Sequence, residues 1–211
     1  MSEQLFDLVV RSLWISGTAL LLALTWSLPL SLVLGLKKFR GRKILISVFN
    51  SLLGIPTVAL GLILYLLFSR AGPLGFLGIL YTPAAIIIGQ ALLITPIIVS
   101  LLTSAIESVD PNIRDLAKTL GASERRASLA ILSEAKKGGI LAGVAAFNRA
   151  VSELGIALMV GGNLAGATRV ISTEIARGVT TGEMALSIQL TIVLLLIVFG
   201  LTVLVNFARR D

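Results

Sequence analysis

Residues 79–106 read ILYTPAAIIIGQALLITPIIVSLLTSAI, a run without a single Lys, Arg, Asp or Glu. About 20 apolar residues in a helix cross the roughly 30 Å of bilayer hydrocarbon. Four other stretches also qualify, at about Ser12–Leu36, Ile44–Ser69, Gly139–Gly162 and Met184–Ala208. Of the five, only 139–162 contains charge, at Arg149 and Glu153. Backbone groups in lipid must be satisfied within their own segment, so these spans are expected to be helices.

Composition points the same way. The 211 residues are 56% apolar and 14% charged, with a mean hydropathy of +0.98. A soluble domain carries roughly 25% charged residues, so an ordinary soluble globule is excluded. There is no His and no Cys. That removes disulfides, imidazole or thiolate metal sites and His-dependent triads, so no catalytic residue, metal site or resident cofactor is expected. The opening MSEQLFDLVVRSLW has acidic Glu3 and Asp7 where a secretory signal would have a basic region, and is expected to be part of the mature protein. A single membrane domain is expected over 1–211.

The net charge of +7 could suggest nucleic acid, but its placement argues for topology. A five-pass chain places thirteen of the eighteen basic residues on one side. They lie in Lys37–Lys43, in the 107–138 loop (Arg114, Lys118, Arg125, Arg126, Lys136, Lys137) and in Arg209-Arg210. By the positive-inside rule, the N-terminus is expected outside and the C-terminus in the cytoplasm. On the other side Arg70–Gly75 has turn chemistry, and Asn163–Glu183 is expected to hold a short interfacial helix near Ala165–Ile175.

The 107–138 loop carries the most specific pattern. Asp110 suits a helix N-cap, Pro111 the first helical position and Gly121 the left-handed residue after the last turn. Ile113, Leu116, Ala117 and Leu120 follow i, i+3, i+4, i+7 spacing and form one apolar stripe, with Arg114, Asp115 and Lys118 opposite. A second helix is expected after Ser123. The stripe must be covered by lipid, by the chain's own spans or by a groove on a partner protein.

This segment resembles the EAA loop of ABC importer permeases, whose pattern is Glu-Ala-Ala, three residues, Gly, nine residues, then Ile-x-Leu-Pro. Here Asp115-Leu116-Ala117, Lys118-Thr119-Leu120, Gly121 and Ile131 take those places, with Ser133-Glu134 where Leu-Pro is usual. The run Ala117-x-x-Leu120-Gly121-Ala122-Ser123 is typical of the family. The resemblance implies an all-α integral membrane protein, the transmembrane domain of a type I ABC importer. It also implies a coupling helix that seats Ile113, Asp115, Leu116, Ala117, Leu120, Gly121, Ala122 and Ser123 against an ATP-hydrolysing partner. No Gly-Lys dipeptide occurs, so the chain lacks a P-loop. ATP and Mg are therefore expected on two separate ATPase subunits, and the permease itself is not expected to be an enzyme.

Polar groups enter the membrane in the fourth span, at Asn148, Arg149, Ser152 and Glu153. Charge at the bilayer centre costs about 2.5–3.5 kcal/mol on insertion scales, so these groups should face protein or water. Arg149 and Glu153 share a helical face four residues apart; they suit a self-neutralising pair, an anion contact or gate, or a contact between subunits. Pro56 should break the second span and free a carbonyl near Thr57. Gln90, Thr95 and Pro96 mark the third, and Gly161-Gly162 could give a gate backbone freedom. Thr57, Asn148, Arg149, Ser152, Glu153, Gly161 and Gly162 are thus the candidate path or gate.

Pro56-Thr57-Val58, Gly72-Pro73-Leu74-Gly75 and Asn148–Gly155 resemble permeases for molybdate, sulfate and tungstate, and Leu158–Asn163 with Thr168-Arg169-Val170 resembles the tungstate group most. The resemblance implies a homodimer in the cell membrane, fed by an extracytoplasmic binding protein. Importing a dianion against 100 mV costs roughly 2.3 kcal/mol per charge, which favours an ATP-driven, alternating-access importer over a passive pore. A secondary transporter or channel is the rival; it leaves the capped loop helix without a purpose.

Overall fold

The computed structural model describes residues 2–110 and 112–208, which form ten helices and no strand. Pro111 and Arg209-Arg210 lie outside the described residues. Three helices are long, apolar and unbroken: α1 (Ser2–Leu36), α4 (Pro83–Glu107) and α10 (Met184–Ala208). Between them run α2 (Arg42–Leu52), α3 (Thr57–Phe68), α5 (Asn112–Thr119), α6 (Glu124–Glu134), α7 (Lys136–Val151), α8 (Gly155–Gly161) and α9 (Ile171–Thr181). A 3-10 turn, Gly75–Leu77, lies before α4.

The central helix is α4. Its most apolar window is 61% buried, against 6% for α10, which sits at the margin of the bundle. Ile86, Ile94 and Ile98 of α4 pack with Ile15, Ala19 and Ala23 of α1, with Ala146 and Ala150 of α7 and with Ile156 and Val160 of α8. Lipid is as apolar as leucine, so small residues and close backbone approach hold such helices together. Trp26 of α1 donates its indole N–H to Thr95 Oγ1 of α4 (2.8 Å). Pro96 sits inside α4 without ending it.

The second and fourth expected spans are not continuous helices. α2 and α3 meet at 100°, and α7 and α8 at 55°. Pro56, without an N–H and in extended conformation, precedes the first turn of α3. The α7–α8 break falls at Ser152–Leu154. Among the described residues three unbroken helices are long and apolar enough to cross a membrane, and up to five spans result if each bent pair forms one.

The helix expected near 165–175 is displaced to Ile171–Thr181. The Leu164 carbonyl accepts the N–H groups of Ala167, Thr168 and Arg169, so a turn occupies the preceding residues. Val170 is extended, and its N–H donates to Thr173 Oγ1 (3.0 Å) as α9 begins.

Candidate functional site

Two constellations stand out, one at the end of the bundle where α4 finishes and one where the broken helices meet. At the first, α5 has both ends closed. Asp110 Oδ1 accepts the Asn112 N–H (2.9 Å). Gly121 has φ +82°, its N–H donates to the Lys118 carbonyl and the Ala122 N–H to the Ala117 carbonyl, both at 2.9 Å. This Schellman arrangement depends on the left-handed residue, which glycine adopts without a Cβ penalty. Ser123 Oγ then accepts the Arg126 N–H (3.4 Å) and opens α6.

Glu124 accepts ion pairs from both Arg114 and Lys118, the latter at 2.7 Å, which ties α5 to α6. α6 is anchored in turn: Ala127 and Ile131 are buried, and Ile131 packs with Leu102 and Ile106 of α4 and Ala142 of α7. α5 has no buried residue. Leu116 is 60% and Leu120 80% exposed, so the chain's own spans leave the stripe open. Ile113, Asp115, Leu116, Ala117, Leu120, Gly121, Ala122 and Ser123 all keep solvent-accessible surface. Arg42 of α2 pairs with Glu107 at the end of α4 and also donates from Nε to the Leu34 carbonyl, joining the first basic loop to the same end.

At the second constellation the two breaks touch. A Cβ on Gly155 would lie 2.8 Å from Thr57 Oγ1 and 3.0 Å from the Val58 backbone nitrogen, so only glycine permits this approach. Arg149 Nη1 pairs with Glu153 Oε2 (3.0 Å). The other Glu153 oxygen accepts the Ile156 N–H (2.9 Å) and caps α8. The Glu153 side chain is 1% exposed while that of Arg149 is 37% exposed, so the carboxylate is held inside and the guanidinium reaches the surface of the subunit. Gln90, in the first third of α4, donates to the Ala150 carbonyl (2.9 Å), at the end of α7.

Thr57, Arg149, Ser152 and Glu153 therefore gather around the breaks. Ser152 is exposed and bonds back to the Asn148 carbonyl (2.7 Å). Asn148 turns away to α10, donating to Thr202 Oγ1 (2.8 Å). Gly161 and Gly162 stand apart at the far end of α8. A Cβ on Gly161 would meet Ile86 at 2.7 Å, and Gly162, at φ +68°, lies against the Tyr81 ring. Both glycines serve tight packing in this conformation.

Sequence reasoning missed Ser172, whose hydroxyl donates to the Glu153 carbonyl (2.6 Å). It also missed a charged cluster around a cavity of about 660 Å³ at the end of the bundle opposite α5. Arg177 bridges Glu174 (2.7 Å) and Glu183 (2.7 Å), and Arg169 pairs with Glu174 (3.3 Å). The hydrogen bonds to Glu174 and then Glu183 raise the Arg177 pKa further, and the bond from Arg177 holds the Glu183 carboxyl below its ordinary value. The i, i+3 spacing of Glu174 and Arg177 was the available signal.

Solved structures share this architecture. The chain superposes on the inward-facing MetNI methionine ABC transporter with a TM-score of 0.75, covering 100% of this chain and 98% of that one at 18% identity. An amino acid ABC transporter crystallised with histidines gives 0.72 over 100% and 95%, also at 18% identity. The fold is that of an ABC transporter transmembrane domain.

Residues 27–210 match the family of binding-protein-dependent transport system inner membrane components, and the chain belongs to that family. It is a membrane protein of the permease type. It is 38% identical to the tungstate uptake system permease protein TupB of Peptoclostridium acidaminophilum, over 99% of this chain and 91% of that protein. A probable anion ABC transporter permease protein of Haloferax volcanii is 36% identical over 95% and 88%. The molybdenum transport system permease protein ModB of Escherichia coli K12 is 30% identical over 77% and 75%.

Proposed function

We propose that this chain is the permease subunit of an ATP-driven importer that carries a tetrahedral oxyanion, tungstate first, into the cytoplasm by alternating access. The observation that carries the reading is α5: a helix capped at both ends, its stripe uncovered and its support anchored through Ile131. Two ATPase subunits, which would bind ATP and Mg, each receive one α5 from a permease homodimer. Closure of the ATPases moves α5, and α6 passes the movement to the ends of α4 and α7.

On this reading the α5 end faces the cytoplasm, each bent pair forms one span, and an extracytoplasmic binding protein delivers cargo at the other end. Thr57, Arg149 and Ser152 line the route between the two permeases, and the internal carboxylate of Glu153 holds Arg149 in place. A guanidinium on the subunit surface suits a passing dianion, because it offers paired donors to neighbouring oxygens. Similarity to tungstate relatives favours tungstate over molybdate or sulfate, while the weaker similarity to ModB keeps molybdate as the second cargo.

The test is uptake by vesicles holding the permease, its ATPase and its binding protein. Tungstate uptake is expected to require ATP and to end when the ATPase is omitted. Uptake without any ATPase would overturn the importer reading. ATP-dependent uptake of molybdate but not tungstate would overturn the cargo.

A further inference from the structure

We propose that α9 is a re-entrant relay, reporting the docking of a polypeptide loop at its outer end to the helix break at Ser152–Leu154. The inference deepens the proposed function and takes from it the identity of the docking partner, the extracytoplasmic binding protein. The inner end of α9 is built into the bundle. Ile171 and Thr173 are fully buried, and the Ile171 N–H donates to Ser12 Oγ of α1 (2.9 Å). Beside them the Ser172 hydroxyl donates to the Glu153 carbonyl (2.6 Å) at the break. Glu153 in turn holds both Arg149 and the first turn of α8. A shift of α9 along its axis therefore acts on the residue that organises the break.

The outer end of α9 is joined to the start of α10, where the Glu183 N–H donates to the Gly178 carbonyl (2.7 Å). Arg177 links Glu174 within α9 to Glu183 at the start of α10, so the charged turn and α9 travel together. The cavity beside it is lined by Asp7, Arg11, Arg169, Glu174, Arg177 and Glu183. At about 660 Å³ it is far larger than a four-oxygen anion, which needs the space of a few waters at about 30 Å³ each. The volume falls in the range of pockets that enclose a drug-sized group rather than a single small ion. Its lining carries both signs of charge, which matches a loop bearing both signs better than a free anion. Arg11 donates only to the Arg169 carbonyl (3.2 Å) among the described residues, leaving its charge available to a partner carboxylate.

Two variants of the complete transporter in nanodiscs test the relay. Arg177→Gln cuts the outer tie without touching Glu153. Amide exchange at Ile156, whose N–H bonds to the Glu153 carboxylate, should quicken about fivefold, the factor an ordinary hydrogen bond represents. Exchange changes confined to residues 171–187 would overturn the relay, and this readout needs no binding protein. Ser172→Ala should reduce the stimulation of ATP hydrolysis by tungstate-loaded binding protein about fivefold, leaving unstimulated hydrolysis and binding-protein affinity unchanged. Ser172→Thr, which keeps the hydroxyl, should restore it. Full stimulation in Ser172→Ala would overturn the relay. Quickened exchange at Ile156 in Arg177→Gln with no stimulation of the wild type would support the internal coupling and overturn the partner.

Discussion

α5 and α9 are both short helices outside the long spans, yet they dispose of their surfaces in opposite ways. α5 buries nothing and leaves Leu116 and Leu120 exposed. α9 buries Ile171, Ser172, Thr173 and Glu174, and bonds by its first turn to α1 and the α7–α8 break. The energetics follow from that difference. A helix that buries one face is stabilised by its own chain, while an 8-residue helix with none buried depends on caps, ion pairs and a partner. α5 thus leaves its stripe open, whereas the first turn of α9 is held by its own chain.

The sharpest way to break this contrast is to exchange anchor for contact at the α5 end. Ile131→Ala removes a buried side chain packed on Leu102 and Ile106, and should lower stability by about 2–5 kcal/mol. Leu120→Ala removes a side chain that is 80% exposed, and should change stability by no more than about 0.5 kcal/mol. Thermal unfolding in detergent reads both, while co-purification of the ATPase should fall in Leu120→Ala. If Leu120→Ala unfolded the protein, α5 would be part of the core and the contrast would fail.

Smaller effects belong to the caps. Gly121→Val places a β-branched residue at φ +82°, a left-handed conformation that costs about 1–2 kcal/mol. The open space around that position means the cost is backbone strain alone. Asp110→Ala removes the side-chain acceptor for the Asn112 N–H, at about 1 kcal/mol. Both should quicken amide exchange within 112–122 and leave α9 unchanged.

The same contrast explains what could be read from the sequence. The caps and stripe of α5 are local: Asp110, Gly121 and Ser123 each act on residues within five positions, so their spacing carried the structure. The charge-free runs carried α1, α4 and α10 for the same reason. Non-local contacts were not legible. The meeting of Gly155 with Thr57 depends on two breaks nearly a hundred residues apart in sequence, and a proline signals a break without saying what it faces. Ser172 reads as an ordinary loop serine until the fold carries it to Glu153. Asn148 shared the spacing of the path residues yet bonds to Thr202, because α10 packs against that face of α7.

The smallest expected effect is a pH response, and it falls on the outer end alone. Arg177 holds the Glu183 carboxyl below its ordinary value, chiefly through the hydrogen bond between them. A carboxylate depressed in the folded state contributes stability that is present above its unfolded pKa and is lost as pH falls through the folded one. The tie between α9 and α10 should therefore hold from neutral pH down past the usual carboxylate range, and loosen only below it. Amide exchange at 182–187, corrected for intrinsic rates, reads this directly. Because the pair is exposed to solvent, high salt should weaken it and Glu183→Gln should remove its pH dependence. Loosening of 182–187 already at neutral pH would mean that Arg177 leaves Glu183 free, and α9 would then be tied to α10 only by packing and by the bonds of Ser187 to the Ile175 carbonyl and of Glu183 N–H to the Gly178 carbonyl.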